Sequence, residues 1–169
     1  LPRFKTFESV CCRLNTAHHG HVLILSLYRP SSKTLTAEFF AEFTTLLESL
    51  ATFRCPVVLL DDLNIHLEQS TAAHVNEFCD LLASFDLYQC VQHSTHSAGG
   101  LLDVVITRQC DCIKDIAVIE TGVSDHSLVT GRLPVQQDCH DFIPVDGRKW
   151  NNFSIDAFRS DLTNSVLGN

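Results

Sequence analysis

The run Pro56-Val57-Val58-Leu59-Leu60 passes without a break into Asp61-Asp62-Leu63-Asn64, and this junction constrains the fold more than any other stretch of the chain. Five consecutive apolar residues are too few for a helix. They are the pattern of a strand covered on both faces, inside a layered domain. The polar groups that follow then emerge at the strand's C-terminal end, where open α/β sheets usually place their ligand sites.

The flanking pattern supports such a domain. Residues 36–51 read as a helix, because Phe39, Phe40, Phe43, Leu46, Leu47 and Leu50 recur at three- and four-residue intervals. Residues 72–85 read as a second amphipathic helix burying Val75, Phe78, Cys79, Leu82 and Phe85. Strands are expected at 7–14 and 21–28, joined as a hairpin by the turn-rich Asn15-Thr-Ala-His-His-Gly20. Further short strands are expected at 88–91, 101–107, 113–120 and 127–133. Strands with intervening helices imply an α/β class. Residues 134–149 read as a polar linker, and 155–166 as a last helix with Ile155, Phe158, Leu162 and Val166 on one side. Neither a repeat nor a low-complexity tract is present.

The 169 residues suit one compact domain with a short tail, and 45% apolar with 19% charged residues is a globular balance. No apolar run approaches the ~20 residues of a membrane span. The N-terminus lacks the basic and apolar regions of a secretory signal. The chain opens Leu1-Pro2 and contains no Met, so a fragment of a longer product is expected. A net charge of -8 argues against gripping nucleic acid through one broad basic face. It is compatible with carboxylates that hold cations.

Eight cysteines include the pairs Cys11-Cys12 and Cys110/Cys112, but none has the Cys-x-x-Cys spacing that closes thiolates around zinc. They read as free, small, buried hydrophobes in a reducing compartment. His93/His96 and His18/His19/His21 also lack a recognisable ligand set.

Four constellations carry chemistry. In an extended segment, Asp62 and Asn64 share a face, one able to take a proton from water and the other to donate to a phosphate oxygen. An Asx-turn loop accounts for the same letters. Ser124-Asp125-His126 joins a hard oxygen ligand suited to Mg²⁺ with a side chain that exchanges protons near neutrality. An ordinary turn would contain the same residues. Adjacent positions cannot converge as a Ser-His-Asp triad, so that reading fails. Asp103, between Leu102 and Val104, needs a partner if buried, and an imidazole would serve. Tyr28 closes an apolar strand just before Arg29-Pro30, where its hydroxyl could meet a phosphate or simply sit at a core rim.

In order, Tyr28-Arg29-Pro30, Asp62-Leu63-Asn64, Thr95-His96…Gly99-Gly100-Leu101-Leu102-Asp103 and Ser124-Asp125-His126 resemble the motif series of the endonuclease/exonuclease/phosphatase superfamily. The pattern is most similar to the apurinic-endonuclease-like domain of non-LTR (LINE-type) retrotransposon polyproteins, over about residues 4–133. The resemblance implies a partial four-layer α/β/β/α sandwich over residues 1–135, with the family's N-terminal part absent. Residues 136–169, with Arg148-Lys149-Trp150 and Asp156-Ala157-Phe158, then resemble the linker and helical spacer that lead to a reverse transcriptase in cis.

The implied activity is Mg²⁺- or Mn²⁺-dependent hydrolysis of DNA phosphodiesters to nick a target, in an intracellular and, for such a parent, nuclear setting. Asp62 would activate the water, Asn64 hold a phosphate oxygen, and Tyr28 donate to the phosphate. His126, oriented by Asp103, would stabilise developing charge, and Asp125 would bind the metal. The family's early Asn and principal Glu ligand have no counterpart here, since Glu8, Glu38 and Glu68 lie in no matching motif. Asp61 stands where the family has a small Gly. Feeble or no activity of this chain alone is therefore expected. Alternatives are a non-enzymatic retrotransposon-derived remnant or interaction module, and a phosphatase of the same superfamily.

Overall fold

A computed structural model describes residues 3–16, 20–32, 34–108, 113–133 and 154–164. The chain divides into two compact units, 1–138 and 139–169. The predicted linker at 134–149, Arg148-Lys149-Trp150, Val166, Cys110, Cys112, His18 and His19 lie outside the described residues.

The first unit is built around a five-stranded sheet. Strand β1 (Glu8–Thr16) pairs antiparallel with β2 (Gly20–Tyr28), which confirms the expected hairpin. Helix α1 (Ala37–Ala51) starts where the Thr36 hydroxyl accepts the Phe39 N–H, and it carries the chain across to β3 (Val57–Asp62), parallel to β2. Helix α2 (Ala73–Ser84) leads to the short β4 (Leu87–Gln89). Strand β5 (Asp103–Arg108) then enters between β3 and β4, antiparallel to both, giving the order β1-β2-β3-β5-β4. A separate two-stranded sheet joins β6 (Lys114–Ile119) to β7 (Leu128–Arg132).

The strand alternation of β3 explains its apolar run. Val57 and Leu59 face a core shared with Phe39, Phe43, Leu46 and Leu50 of α1 and Val75, Phe78 and Leu82 of α2. Val58 packs on the opposite side with Val91 and Val105, where Leu60 and, from the β6–β7 region, Ile116, Val118 and Val129 cover it. Helices, sheet and second sheet are three of the four layers of the expected sandwich, all within the described residues of this unit.

Several expectations are corrected. Cys79 is exposed, because Val75, Phe78 and Leu82 already fill the narrow stripe of α2 that meets the core. Cys11 and Cys12 are exposed too, on strand β1 at the edge of the sheet; of the cysteines described, only Cys55 is buried. Strand β3 runs two residues beyond its apolar stretch, and β5 starts at Asp103 rather than 101. In the second unit, α3 (Ile155–Thr163) is shorter than the predicted helix, and Ile155 and Phe158 are exposed. No described helix is long and apolar enough to cross a membrane.

Candidate active site

The C-terminal end of β3 and the first residue of β5 create the centre of the site. In the β3–β5 ladder Asp62 pairs directly with Asp103. Such cross-strand partners bring their Cα atoms within about 4.5–5.5 Å. Beyond β3 the chain turns at Asn64, which adopts φ 49°, a left-handed conformation that Asn tolerates. The turn is closed by the Asp62 carboxylate. Its Oδ1 accepts the Asn64 N–H at 2.9 Å and its Oδ2 accepts the Asn64 amide at 2.7 Å. The pair therefore meets through an Asx turn, and not through a shared strand face as its spacing predicts.

Arg29 secures this turn from below. Its buried guanidinium donates to Leu63 O at 2.7 Å and Asn64 O at 2.5 Å, while its carbonyl accepts from the Asn64 amide at 2.9 Å. Arg29 N–H also donates to Asp62 O at 2.9 Å. The β2–β3 register, carried two residues onward, sets Tyr28 beside Asp62. Tyr28 is 45% exposed, and its hydroxyl makes no hydrogen bond among the described residues.

Opposite Asp62, Asp103 Oδ2 accepts the His126 Nδ1–H at 2.9 Å. Buried Thr95 fixes the start of β5, its Oγ1 accepting from Leu102 N at 3.1 Å and Asp103 N at 3.0 Å. Glu68 holds the same connection, accepting Leu101 N–H at 2.8 Å while its other oxygen meets His66 Nδ1 at 2.7 Å. The Thr95–Gly100 turn is in turn bound to the loop of Asp125 and His126. Ser97 N donates to Asp125 O at 2.8 Å and Ser127 N to Thr95 O at 2.7 Å. A cavity of about 690 Å³ opens beside it, lined by His93, Ser97, Glu120, Thr121, Asp125 and others, with no Lys or Arg among the described lining residues.

Charge placement divides the groups by role. Burial pushes the Asp62 carboxyl above the ordinary range and the Asp103 charge adds to this, while hydrogen bonds from Asn64 and the His126 charge oppose it. The hydrogen bond to Asp103 raises the His126 pKa against the opposing effect of burial, with help from the Asp103, Asp62 and Asp125 charges. The Ser124 hydroxyl holds the exposed Asp125 carboxyl below the usual range. An ionised, solvent-facing carboxylate of this kind suits a hard divalent cation such as Mg²⁺ or Mn²⁺.

Of the residues picked out by sequence, Asp62, Asn64, Asp103 and His126 converge, with Asp125 next to His126 and Tyr28 on the neighbouring strand. Sequence reasoning placed Arg29, Thr95 and His96 within motifs without giving them parts in the site. Thr95 and His96 act through a loop some 30 positions away, which local pattern does not reveal.

This architecture is of the endonuclease/exonuclease/phosphatase type. The chain superposes on the endonuclease domain of TRAS1, a telomere-specific non-LTR retrotransposon, with a TM-score of 0.61 and 15% identity, over 76% of this chain and 63% of that domain. It also matches an endonuclease/exonuclease/phosphatase family protein from Leptotrichia buccalis C-1013-b, with a TM-score of 0.51 and 13% identity, over 78% of this chain and 61% of the other. The chain thus spans somewhat under two thirds of each. No protein-family model and no curated protein sequence matches it.

Proposed function

We propose that this chain is part of a nuclease-type phosphodiesterase that nicks DNA with a divalent cation at Asp125. The observation that carries this reading is the Asp62–Asp103 pairing. It joins an acid–amide pair and an acid–imidazole pair into one centre, small enough to surround a single phosphate.

Asp62, with its pKa raised, is suited to accept a proton from an attacking water. His126, kept protonated to higher pH and aimed by Asp103, is suited to offset charge on the phosphate. Asn64 spends its amide on Arg29 O and Asp62, so it first serves to hold Asp62, and reaching a phosphate oxygen requires opening that bond. Tyr28, on the strand next to Asp62, is 45% exposed and can donate its hydroxyl to the same phosphate. A bound Mg²⁺ or Mn²⁺ would neutralise phosphate charge. Retrotransposon target nicking, a reverse transcriptase in cis and a nuclear setting belong to the same proposal, supported by the likeness to the TRAS1 domain.

The test is nicking of supercoiled plasmid in Mg²⁺, by this chain alone and joined to the N-terminal part of a TRAS1-type domain. Asp125→Ala and His126→Ala should each lower the rate by about 10²–10³-fold. Undiminished nicking by either variant, or in EDTA, would remove the assignment. A small phosphoester is the second reading, favoured by the acidic balance and by a cavity with no Lys or Arg among its described lining residues. Cleavage of such esters but not of plasmid would select it. A remnant serving only in interactions would show neither activity.

A further inference from the structure

Ligand-capable atoms of His96, Asp125 and His126 lie within 4.8 Å of one another, near the spacing of a site with two imidazoles and one carboxylate. The hydrogen bonds of the two rings separate their roles. His126 gives its Nδ1–H to Asp103, which fixes the proton on Nδ1 whenever the ring is neutral. His96 is the reverse. Its Nδ1 accepts the Ala98 N–H at 3.0 Å, which puts the ring proton on Nε2. That nitrogen is 3.4 Å from Asp125 Oδ2, a few tenths of an ångström beyond an ideal N–H···O separation. A protonated nitrogen cannot ligate a metal, but it can steady a carboxylate.

We propose that His96 is a positioning residue, whose Nε2–H orients the Asp125 carboxylate and whose ring braces His126, so that a cation at Asp125 is held through oxygen and not imidazole. This rests on the reading that places the cation at Asp125. The Asp125 side chain is 69% exposed on an irregular loop and would otherwise sample several rotamers. Ser124 Oγ meets its Oδ1 at 3.2 Å, and His96 faces its Oδ2. The His96 ring also stands edge-on to that of His126, with centroids 5.0 Å apart.

The backbone makes His96 firm enough for this task. Thr95 N and His96 N both donate to Gly100 O, and Gly99 N donates back to His96 O at 2.8 Å. Gly99 has φ +91°, a conformation that closes the turn and favours glycine. His96 and His126 form an antiparallel bridge. The loop that carries Asp125 is thus aligned on the turn that carries His96.

Two measurements on the full 169-residue chain test the proposal. Long-range ¹H–¹⁵N spectra of histidine-labelled protein, recorded at a pH where the rings are neutral, should show the proton on Nε2 in His96 and on Nδ1 in His126, unchanged when Mg²⁺ is added. A His96 protonated on Nδ1, or one that loses its Nε2–H when Zn²⁺ is added, overturns it. Binding of Mn²⁺, followed by the resonance of the free ion, should weaken about tenfold in His96→Ala. His96→Gln, whose amide N–H reaches the place of Nε2, should restore it, and His96→Asn should not. Unchanged affinity in His96→Ala, alongside weakening in Asp125→Asn, refutes the positioning role alone. Unchanged affinity in Asp125→Asn refutes the cation's placement and this proposal with it.

Discussion

Asp62 and Asp103 face each other across the β3–β5 ladder, two carboxylates at the position where cross-strand side chains interact most directly. Like charges so placed destabilise a sheet. Here each is engaged elsewhere: Asp103 accepts from His126, and Asp62 accepts twice from Asn64. What remains of the repulsion adds to burial in raising the Asp62 pKa. The same Asp103 charge helps to raise that of His126.

Asp103→Asn should therefore move two titrations at once. His126 should fall back toward ~6.5, and Asp62 should fall toward the ordinary carboxylate range. The folded-state pKa of His126 lies above its unfolded value. Its stabilising contribution is thus complete below ~6.5 and fades as pH rises through the folded pKa. Urea midpoints across that window should slope downward in the parent chain and flatten in the variant. NMR titration of the His126 ring checks the first claim, and an unshifted His126 would contradict it.

Thr95 is fully buried, and its hydroxyl oxygen accepts two backbone N–H groups that no strand pairing serves. Thr95→Val preserves shape but strands both donors. At about 1–3 kcal/mol for each buried unsatisfied group, a loss of about 2–6 kcal/mol is expected in urea unfolding. Thr95→Ser keeps the oxygen and should lose about 1 kcal/mol or less, the value of a methyl group. Equal losses in the two would mean that packing, and not the hydroxyl, holds the start of β5.

Much of the fold is legible in the chain wherever burial imposes a period. The spacing of Phe39, Phe43, Leu46 and Leu50 sets α1 nearly to the residue, and the Val57–Leu60 run sets the central strand. Legibility ends where a contact replaces a pattern. Strand β3 continues into Asp61 and Asp62 because β5 pairs with them, though their polarity suggests a loop. Leu101 and Leu102 look like strand but lie in a connection tied to Glu68 and Thr95. The four polar clusters could be named from order and spacing. His96 facing Asp125 could not, because that contact depends on two loops meeting.

Arg29 shows how a buried charge can serve geometry. Its fork binds Leu63 O and Asn64 O together, and its guanidinium carbon lies 5.9 Å from the centre of the Phe39 ring. Burial pulls its pKa down, against the effect of the Asp62 charge. Lysine keeps the charge but cannot span two carbonyls with a planar fork. Arg29→Lys should destabilise the chain by about 2–3 kcal/mol, in the range of hydrogen bonds to charged groups. Amide exchange at Asn64 should rise with it, since the turn loses its anchor. Slow exchange at Asn64 in the variant would show that the Asx turn stands alone.

Asp61 adopts φ 99°, a backbone conformation that side chains with a Cβ rarely take. The motif it resembles has glycine at this point, and the backbone supplies a physical reason. The strain is of the order of 1–3 kcal/mol. Against it stand the Ser26 hydroxyl, which donates to Asp61 Oδ2 at 2.6 Å, and Asp62 N–H, which donates to Oδ1 at 3.1 Å, both at exposed positions where such bonds return little. Asp61→Gly should thus gain about 1 kcal/mol of stability and remove a negative charge adjacent to Asp62. Asp61→Ala should lose stability, because it keeps the strain and forfeits both hydrogen bonds. Urea midpoints at constant m-value decide between them. The opposite order, with alanine above glycine, would show that the side-chain bonds outweigh the backbone. Since the substitution leaves Asp62, Asn64, Asp103 and His126 in place, any change in the titration of Asp62 would measure the influence of the neighbouring charge directly.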